Sequence, residues 1–153
     1  MSWKEIAKTS EARKYIHPSG DNEMAWLYMG KEAAAGIQKY IPKPFKVMEY
    51  GCGTGRILQH LRDCKVIGLD IAPEFVETCN KIGLESYEIV DYEFKADCDL
   101  IYSITVFIHL SKKDGTEALE NIWKALKPDG LALLQIPLYE TSKEPQSWID
   151  VGT

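Results

Sequence analysis

The sequence contains no apolar run near the ~20 residues that a membrane-spanning helix requires. Residues 1–14, MSWKEIAKTSEARK, also lack the apolar segment of a secretory signal peptide. We therefore expect a cytoplasmic protein with no membrane partner. Cysteine is scarce, with four residues at positions 52, 64, 79 and 98 and no Cys-x-x-Cys pair. Because zinc ligands are clustered in sequence, this spacing predicts reduced structural thiols and no metal site.

The sequence also has no excess of basic over acidic residues. The chain has 18 Lys and Arg against 23 Asp and Glu, which gives a net charge of −5. Proteins whose main task is to coat nucleic acid need a basic face, so this balance argues against nucleic acid as the principal partner. With 153 residues, 45% of them hydrophobic, the chain can bury one compact core, and we expect a single domain over 1–153.

The pattern of apolar residues divides the chain into three parts. Residues 1–43 are predicted to form an N-terminal helical cap, 44–137 the core of the domain, and 138–153 a tail. In the cap, a helix over 22–41 is predicted to bury a stripe at helical spacing, made of Met24, Leu27, Tyr28, Ala34, Ile37 and Ile41.

Residues 44–137 alternate short β-prone runs with amphipathic helices. We predict strands over 46–50, 65–70, 85–90, 98–104 and 131–137, and helices over 55–63, 72–83 and 112–126. Such alternation requires crossover connections, and it therefore predicts an α/β fold: a doubly wound, mainly parallel sheet with helices on both faces.

Three glycines follow the first predicted strand in the segment MEYGCGTGRIL, residues 48–58. Glycine permits a tight turn and a close approach of the backbone to a ligand. The dinucleotide pattern Gly-x-Gly-x-x-Gly is not met, because Arg56 stands at its third glycine, and the phosphate-binding Gly-x-x-x-x-Gly-Lys-Ser/Thr is absent. Glu49 is badly placed for a pyrophosphate and well placed for a ligand that carries an ammonium group.

The segment EYGCGTG, residues 49–55, resembles motif I of the class I S-adenosylmethionine-dependent methyltransferases. Two further segments are similar to that family: Asp70 ends the second predicted strand 19 residues after Gly51, and LKPDG, residues 126–130, precedes the fifth. The resemblance covers residues 45–137. It implies a Rossmann-like sheet in the order 3-2-1-4-5, with S-adenosylmethionine as cofactor and S-adenosylhomocysteine as product.

The resemblance also implies roles for particular residues. The acidic residue of motif I holds the amino group of the cofactor, Asp70 its ribose hydroxyls, and Asp91 the adenine amino group. The full implied set of cofactor-binding residues is Glu49, Gly51, Cys52, Gly53, Gly55, Asp70, Ile71, Asp91, Tyr92 and Ser103. By the same resemblance, Tyr15, Ile16 and His17 are candidates for a lid over the cofactor, and Phe107 for an acceptor contact. His109 is the candidate catalytic base.

Each of these residues also has a purely structural interpretation. Asp70 could cap the next helix, Asp91 could be a solvated carboxylate, and Glu49 could pair with Arg56 or a lysine. His109 could be held by packing alone. Methyl transfer is an in-line displacement on a sulfonium, so positioning can supply much of the rate without a base.

The absence of two motifs reduces the range of possible methyl acceptors. Family members that methylate exocyclic amines of DNA bases carry Asn or Asp, then Pro-Pro and an aromatic residue, after strand four, where this chain has SITVF. Those that attack cytosine C5 use Pro-Cys, which does not occur. A small-molecule acceptor is therefore favoured over nucleic acid, and a protein acceptor stays open. The alternatives are a non-catalytic module that binds S-adenosylmethionine or S-adenosylhomocysteine, and a nucleotide-dependent oxidoreductase, which Arg56 disfavours.

The last two strands of the family's seven-stranded sheet have no counterpart in this sequence. Only 16 residues follow Pro137, too few for two strands and the helix between them. The sequence is therefore expected to be a fragment or a minimal five-stranded form. Its fifth strand would then be an apolar edge, which natural proteins usually cover. We expect that edge to be covered by a second copy in a homodimer, or by Trp148 and Ile149 of the tail.

Overall fold

The described residues form a five-stranded parallel sheet in the order β3-β2-β1-β4-β5. A computed structural model describes residues 2–40, 46–61 and 63–137. The strands are β1 Lys46–Tyr50, β2 Lys65–Asp70, β3 Ser86–Glu88, β4 Cys98–Ser103 and β5 Leu126–Leu134. The helices are α1 Trp3–Ile6, α2 Ala12–Ile16, α3 Glu23–Gln38, α4 Pro73–Lys81 and α5 Lys112–Ala125. This topology confirms the predicted fold class and strand order.

Side chains of the central strands alternate between two cores. Val47, Leu100 and Tyr102 are buried on one face with residues of α3, whereas Met48 and Ile101 are buried on the other face with residues of α5. Because both faces are covered, the central strands are apolar almost throughout, as expected for parallel sheets. The parallel register also brings the carboxyl ends of β1, β2 and β4 to one edge of the sheet.

The stripe that α3 buries differs from the predicted one. Met24 is 76% and Tyr28 61% exposed, whereas Trp26 is only 1% exposed and is followed at four-residue spacing by the buried Gly30 and Ala34. A side chain at Gly30 would place its Cβ 2.2 Å from the carbonyl oxygen of Arg56. The prediction was wrong for Met24 and Tyr28, because the helix packs through its small residues and not through its largest apolar ones. Ile41 lies outside the described residues.

The helix predicted over 55–63 is also wrong in the part of that range that is described. After the glycines the structure has turns and a single 3-10 turn at Leu58–His60. The glycine loop takes positive φ angles as far as Gly55, so it uses the residues that would form a first helical turn. Ile57 and Leu58 are nevertheless buried, as the predicted helix required.

The third and fifth strands differ from prediction in their bounds. β3 ends at Glu88 and is followed by a 3-10 turn at Ile89–Asp91. β5 begins at Leu126, so the segment LKPDG belongs to the strand. Cys98 pairs with Leu126 and Leu100 pairs with Leu131, which makes residues 127–130 a bulge. A regular ladder is impossible there because proline has no N–H to donate.

β5 forms one edge of the sheet as described. Leu131 on this strand remains partly exposed. Whether a second copy covers the edge stays a prediction. Trp148 and Ile149, the tail residues proposed to cover it, lie outside the described residues.

Across the ranges that the structure describes, no helix is both long and apolar enough to cross a bilayer. The same ranges contain no group of three or more His, Cys, Asp or Glu arranged to hold a metal ion. The four cysteines are thiols, and Cys52 lies with its Sγ 4.0 Å from that of Cys79.

We expect Trp26→Ala to lower the free energy of unfolding by about 3–5 kcal/mol, because it removes a large buried side chain. Trp123 is 80% exposed and offers a matched control, since Trp123→Ala should change the same quantity by less than about 0.5 kcal/mol. Urea unfolding followed by circular dichroism measures both. Equal losses in the two variants would contradict the packing described for α3.

Candidate active site

A cavity of about 450 Å³ opens at the carboxyl ends of the central strands. Its walls come from the glycine loop, the ends of β1 and β2, the segment after β4, α5 and the N-terminal helices. The lining is mainly apolar, with a few polar groups that converge on one space, as is typical of small-molecule sites. Those polar or charged lining residues include Glu49, Arg56, Asp70, Thr105, His109, Asp114, Glu117 and Asn121.

The glycine loop is tied to the end of β2. The N–H groups of Gly51 and Cys52 both donate to the carbonyl oxygen of Leu69, at 2.7 and 2.8 Å. Gly51 has φ +82°, and a Cβ there would lie 2.2 Å from Val106 in the segment after β4. This position therefore requires glycine both for its backbone angle and for its contact.

Asp70 holds the same loop through its side chain. Its Oδ2 accepts from the Gly53 N–H at 2.8 Å, and its Oδ1 accepts from the Ala72 N–H at 3.0 Å. Burial raises the pKa of Asp70 to about 6, against the lowering effect of hydrogen bonds from the backbone of Ala72, Gly53 and Ile71. Asp70 does not cap α4, whose N-cap is Ala72. Its carboxylate lines the cavity and each oxygen retains a free lone pair.

Glu49 is buried at the end of β1. The hydroxyl of Tyr102 donates to Glu49 Oε2 at 2.9 Å, and Oε1 has no hydrogen-bond partner among the described residues. Burial raises the pKa of Glu49 to about 8, although the hydrogen bond from Tyr102 lowers it. Arg56 lies close enough to act on this carboxyl electrostatically but does not form an ion pair with it.

The structure places the other predicted cofactor residues in two groups. Cys52, Gly53 and Ile71 line the cavity with Glu49, Gly51 and Asp70. Gly55 faces away from it, because a Cβ there would lie 2.6 Å from Leu84. The side chain of Ser103 donates to the carbonyl oxygen of Tyr50 at 2.8 Å and braces β4 against β1 beneath the cavity.

The segment after β3 contributes different residues from those predicted. Asp91 is exposed, and neither it nor Tyr92 lines the cavity. The ring of Tyr92 lies 5.2 Å from that of Phe94, centroid to centroid. Ile89 and Val90 line the cavity in their place, because the 3-10 turn after the short β3 directs this segment inward.

The predicted lid and acceptor residues are likewise only partly at the cavity. His109 lines it, and its ring packs edge-on against Trp3 with centroids 5.0 Å apart. Burial lowers the pKa of His109, which favours the neutral imidazole. Phe107 lies in the core behind the cavity. Of the predicted lid residues, Ile16 lines the cavity, whereas Tyr15 is exposed and does not line it.

The side chain of His17 stabilises the local backbone and does not line the cavity. Its Nδ1 accepts from the Ser19 N–H at 3.1 Å and caps the 3-10 turn Pro18–Asp21. Sequence reasoning missed Trp3 as a lining residue. The sequence does contain a capping box, in which Ser2 and Glu5 fix the start of α1. This motif predicts a helix but does not show which part of the protein the helix packs against.

Thr105 is a second lining residue that the sequence analysis did not predict, and no sequence pattern indicates it. It is the only described non-glycine residue with a positive φ, at +61°. Its N–H donates to Oε1 of Gln135 at 2.9 Å, which holds the turn after β4. Strained backbone in a β-branched residue is uncommon and is concentrated at functional sites.

Comparison with known proteins identifies the family. A family model described as a methyltransferase domain matches residues 47–130, more than half of the chain. The chain therefore belongs to the methyltransferase domain family.

Among curated proteins, an uncharacterized methyltransferase of Oceanobacillus iheyensis is 28% identical over 115 residues, covering 70% of this chain and 54% of the relative. The tRNA (carboxymethyluridine(34)-5-O)-methyltransferase of Arabidopsis thaliana is 27% identical, with coverage of 67% and 26%. The chain thus spans about half the length of the first relative and about a quarter of the second.

Among solved structures, a TehB-like S-adenosylmethionine-dependent methyltransferase from Corynebacterium glutamicum superposes with a TM-score of 0.59. It is 28% identical, and the match covers 77% of this chain and 73% of that one. These findings confirm the resemblance drawn from motif I, the Rossmann-like fold and S-adenosylmethionine as the cofactor of the family.

The described cavity fits this cofactor. Its volume lies within the ~300–1,000 Å³ typical of small-ligand sites. Glu49 and Asp70 supply carboxylate oxygens with acceptor capacity left over, which suits a ligand that carries an ammonium group and vicinal hydroxyls. The apolar lining suits an aromatic base.

Glu49→Gln should stabilise the cofactor-free protein, and more so as the pH rises. The pKa of this carboxyl is about 8 in the folded protein against 4.5 for the free side chain. Between these values the folded protein holds a proton that the unfolded chain has lost, so the free energy of unfolding falls as pH increases. Because glutamine does not titrate, the advantage of the variant should reach about 4 kcal/mol at pH 8.

Urea unfolding at pH 5 and pH 8 tests this expectation. The exposed Glu32 provides a matched control, since Glu32→Gln should change the free energy of unfolding equally at both values. A stability difference between Glu49→Gln and the wild-type protein that does not change with pH would show that the Glu49 carboxyl is already ionised in the folded state.

Proposed function

We propose that this chain binds S-adenosylmethionine in the cavity and catalyses methyl transfer to a small-molecule acceptor. The observation that carries the proposal is the pair of buried carboxyl groups, Glu49 and Asp70, at the ends of adjacent strands on either side of the glycine loop. Keeping two such groups buried costs stability in the free protein. A ligand with matching donors compensates that cost.

In this proposal the glycine loop and the two carboxylates orient the cofactor. Glu49 accepts from the ammonium group and Asp70 from the ribose hydroxyls, while the Gly51–Gly53 backbone passes close to the ligand. Ile71, Ile89 and Val90 form the apolar wall for the adenine ring. Asp91 and Tyr92 do not line the cavity, so in our proposal the adenine is held mainly by apolar contact.

The acceptor end of the cavity is formed by α1, the segment after β4 and α5. S-adenosylmethionine supplies a methyl group on a sulfonium, and the C–S bond electrons remain on sulfur when the acceptor takes that methyl group. Trp3 and Leu110 give this end an apolar lining. Burial lowers the pKa of His109, which favours the neutral imidazole, and this form can accept the proton that a hydroxyl or ammonium acceptor must lose.

A small molecule fits the acceptor end better than a polynucleotide does. Asp114 and Glu117 on α5 line this end, and carboxylates there repel a phosphate backbone. The net charge of −5 acts in the same direction. Three of the curated relatives are named as tRNA methyltransferases, so RNA is the competing acceptor class and is included in the test below.

Calorimetric titration tests the cofactor site. The wild-type protein should bind S-adenosylmethionine and S-adenosylhomocysteine with micromolar affinity and should not bind NAD. Asp70→Asn should weaken both at least tenfold, because it removes the charge that accepts from the ribose hydroxyls and also loosens the loop. Asp129→Asn, at an exposed position on β5, is the matched control and should bind like the wild type.

Turnover tests the acceptor class. Protein incubated with S-adenosylmethionine labelled in the methyl group should transfer label to the metabolite fraction of a cell extract and not to bulk tRNA. Label in tRNA would replace the small-molecule proposal with RNA methylation. Tight cofactor binding without label in either fraction would favour a non-catalytic binding module.

A further inference from the structure

Two buried thiols lie side by side next to the glycine loop. Cys52 belongs to the loop and is 4% exposed, whereas Cys79 belongs to α4 and is fully buried. Their Sγ atoms are 4.0 Å apart, although the residues are 27 positions apart in the sequence. A disulfide requires ~2 Å between the sulfurs, so a shift of about 1 Å at each sulfur brings them to bonding distance.

Both thiols also contact one carbonyl group of the loop. The Cys79 S–H donates to the carbonyl oxygen of Gly53 at 3.3 Å, and Cys52 Sγ lies 3.7 Å from the same oxygen. The N–H of Gly53 is the group that Asp70 holds. The conformation of the loop at Gly53 therefore depends on the two thiols as well as on Asp70.

Glycines at two neighbouring positions leave room for the sulfurs. A Cβ at Gly68 of β2 would lie 2.8 Å from Cys52 Sγ, and one at Gly55 would lie 3.1 Å from Cys79 Sγ. A side chain at either position would displace a sulfur. The packing around the two thiols therefore sets their close approach.

The two thiols differ in their access to the cavity. Cys52 is among the lining residues, whereas Cys79 is not. A small solute that enters the cavity therefore reaches Cys52 first. A cofactor bound in the cavity covers this thiol and protects it.

The contact between the sulfurs favours ionisation of the pair. The hydrogen bond from Cys52 lowers the pKa of Cys79, because the remaining S–H stabilises the thiolate. The same hydrogen bond and burial raise the pKa of Cys52. Transfer of the shared proton places the charge on either sulfur, and the thiolate is the reactive form of cysteine.

We propose that hydrogen peroxide converts Cys52 and Cys79 to a disulfide that weakens cofactor binding, an inference that rests on the proposed function. The Cys52 thiolate attacks one oxygen of the peroxide, the O–O bond breaks, and hydroxide leaves a sulfenic acid on Cys52. The Cys79 thiolate then attacks the Cys52 sulfur, and the S–O bond breaks with loss of a second hydroxide. The two thiols lose two electrons and two protons, and the peroxide becomes two molecules of water.

The disulfide changes the loop in two ways. Neither sulfur retains an S–H for the Gly53 carbonyl, and the new bond draws the loop and α4 together at this point. Because Cys52 and Gly53 line the cavity, both effects alter the surface that the cofactor contacts. Reduction of the disulfide restores the thiols and the original loop.

The test treats the reduced protein with hydrogen peroxide, alkylates the remaining thiols and maps the peptides by mass spectrometry. We expect one peptide pair joined through Cys52 and Cys79, with a mass two hydrogens below the sum of the reduced peptides. By calorimetry, the oxidised protein should bind S-adenosylhomocysteine at least about tenfold more weakly than the reduced protein, and dithiothreitol should restore the affinity. Saturating S-adenosylhomocysteine should slow the oxidation several-fold.

Two variants show which sulfur reacts first and whether the pair is specific. Cys79→Ser removes the second thiol but keeps a hydroxyl donor for the Gly53 carbonyl. It should form no cross-link and should instead hold a sulfenic acid on Cys52, which dimedone traps. Cys98 is a buried cysteine of the other core, so Cys98→Ala is the matched control and should cross-link like the wild type.

Two results would overturn the inference alone. One is wild-type protein whose Cys52 and Cys79 remain open to alkylation after peroxide, and the other is cross-linked protein that binds S-adenosylhomocysteine as tightly as the reduced form. Should Cys79→Ser not fold, as judged by circular dichroism, the peptide map and titration of the wild type decide. A reduced protein that does not bind S-adenosylhomocysteine removes the proposed function and the inference with it, and the titration of the reduced form identifies that outcome separately.

Discussion

The fold of the site depends on one hydrogen bond, which the Gly53 N–H donates to the carboxylate of Asp70. It joins the loop after β1 to the end of β2, and the two N–H bonds from Gly51 and Cys52 to Leu69 reinforce it. These bonds fix a loop whose glycines would otherwise allow many backbone conformations. The cavity exists because the loop is held open at this point, with β1, β2 and β4 ending on the same side.

In the ligand-free protein, the buried ionisable groups of this cavity lower the stability of the folded state. Burial raises the pKa values of Glu49 and Asp70, and Arg56 is buried without an anion of its own. The charged form of each group is less stable inside the protein than in water. Groups that oppose folding in this way are concentrated where a ligand will pair with them. In our proposal the cofactor provides that pairing for Glu49 and Asp70.

Much of the core and part of the site could be predicted from the sequence. The alternation of β-prone and amphipathic segments was sufficient for the parallel α/β class, because parallel strands require crossover connections. The strand order came from the resemblance of residues 49–55 to motif I. The glycine spacing and the acidic residues at 49 and 70 located the ligand end. The bounds of β3 and β5 were missed, because the bulge at 127–130 and the turn after Glu88 depend on pairing with neighbouring strands.

The sequence by itself determined which residues sit at the carboxyl ends of β1 and β2, since their position follows from the chain order and the period of the strands. Tertiary structure alone decided what surrounds them. Helical spacing could not show that α3 packs through Gly30 and leaves Met24 exposed, because that choice depends on the backbone of Arg56 lying against the helix. Nor could it show that Trp3 reaches His109 across the cavity. Contacts between segments distant in sequence have no local signal, and the acceptor end of the cavity is built from such contacts.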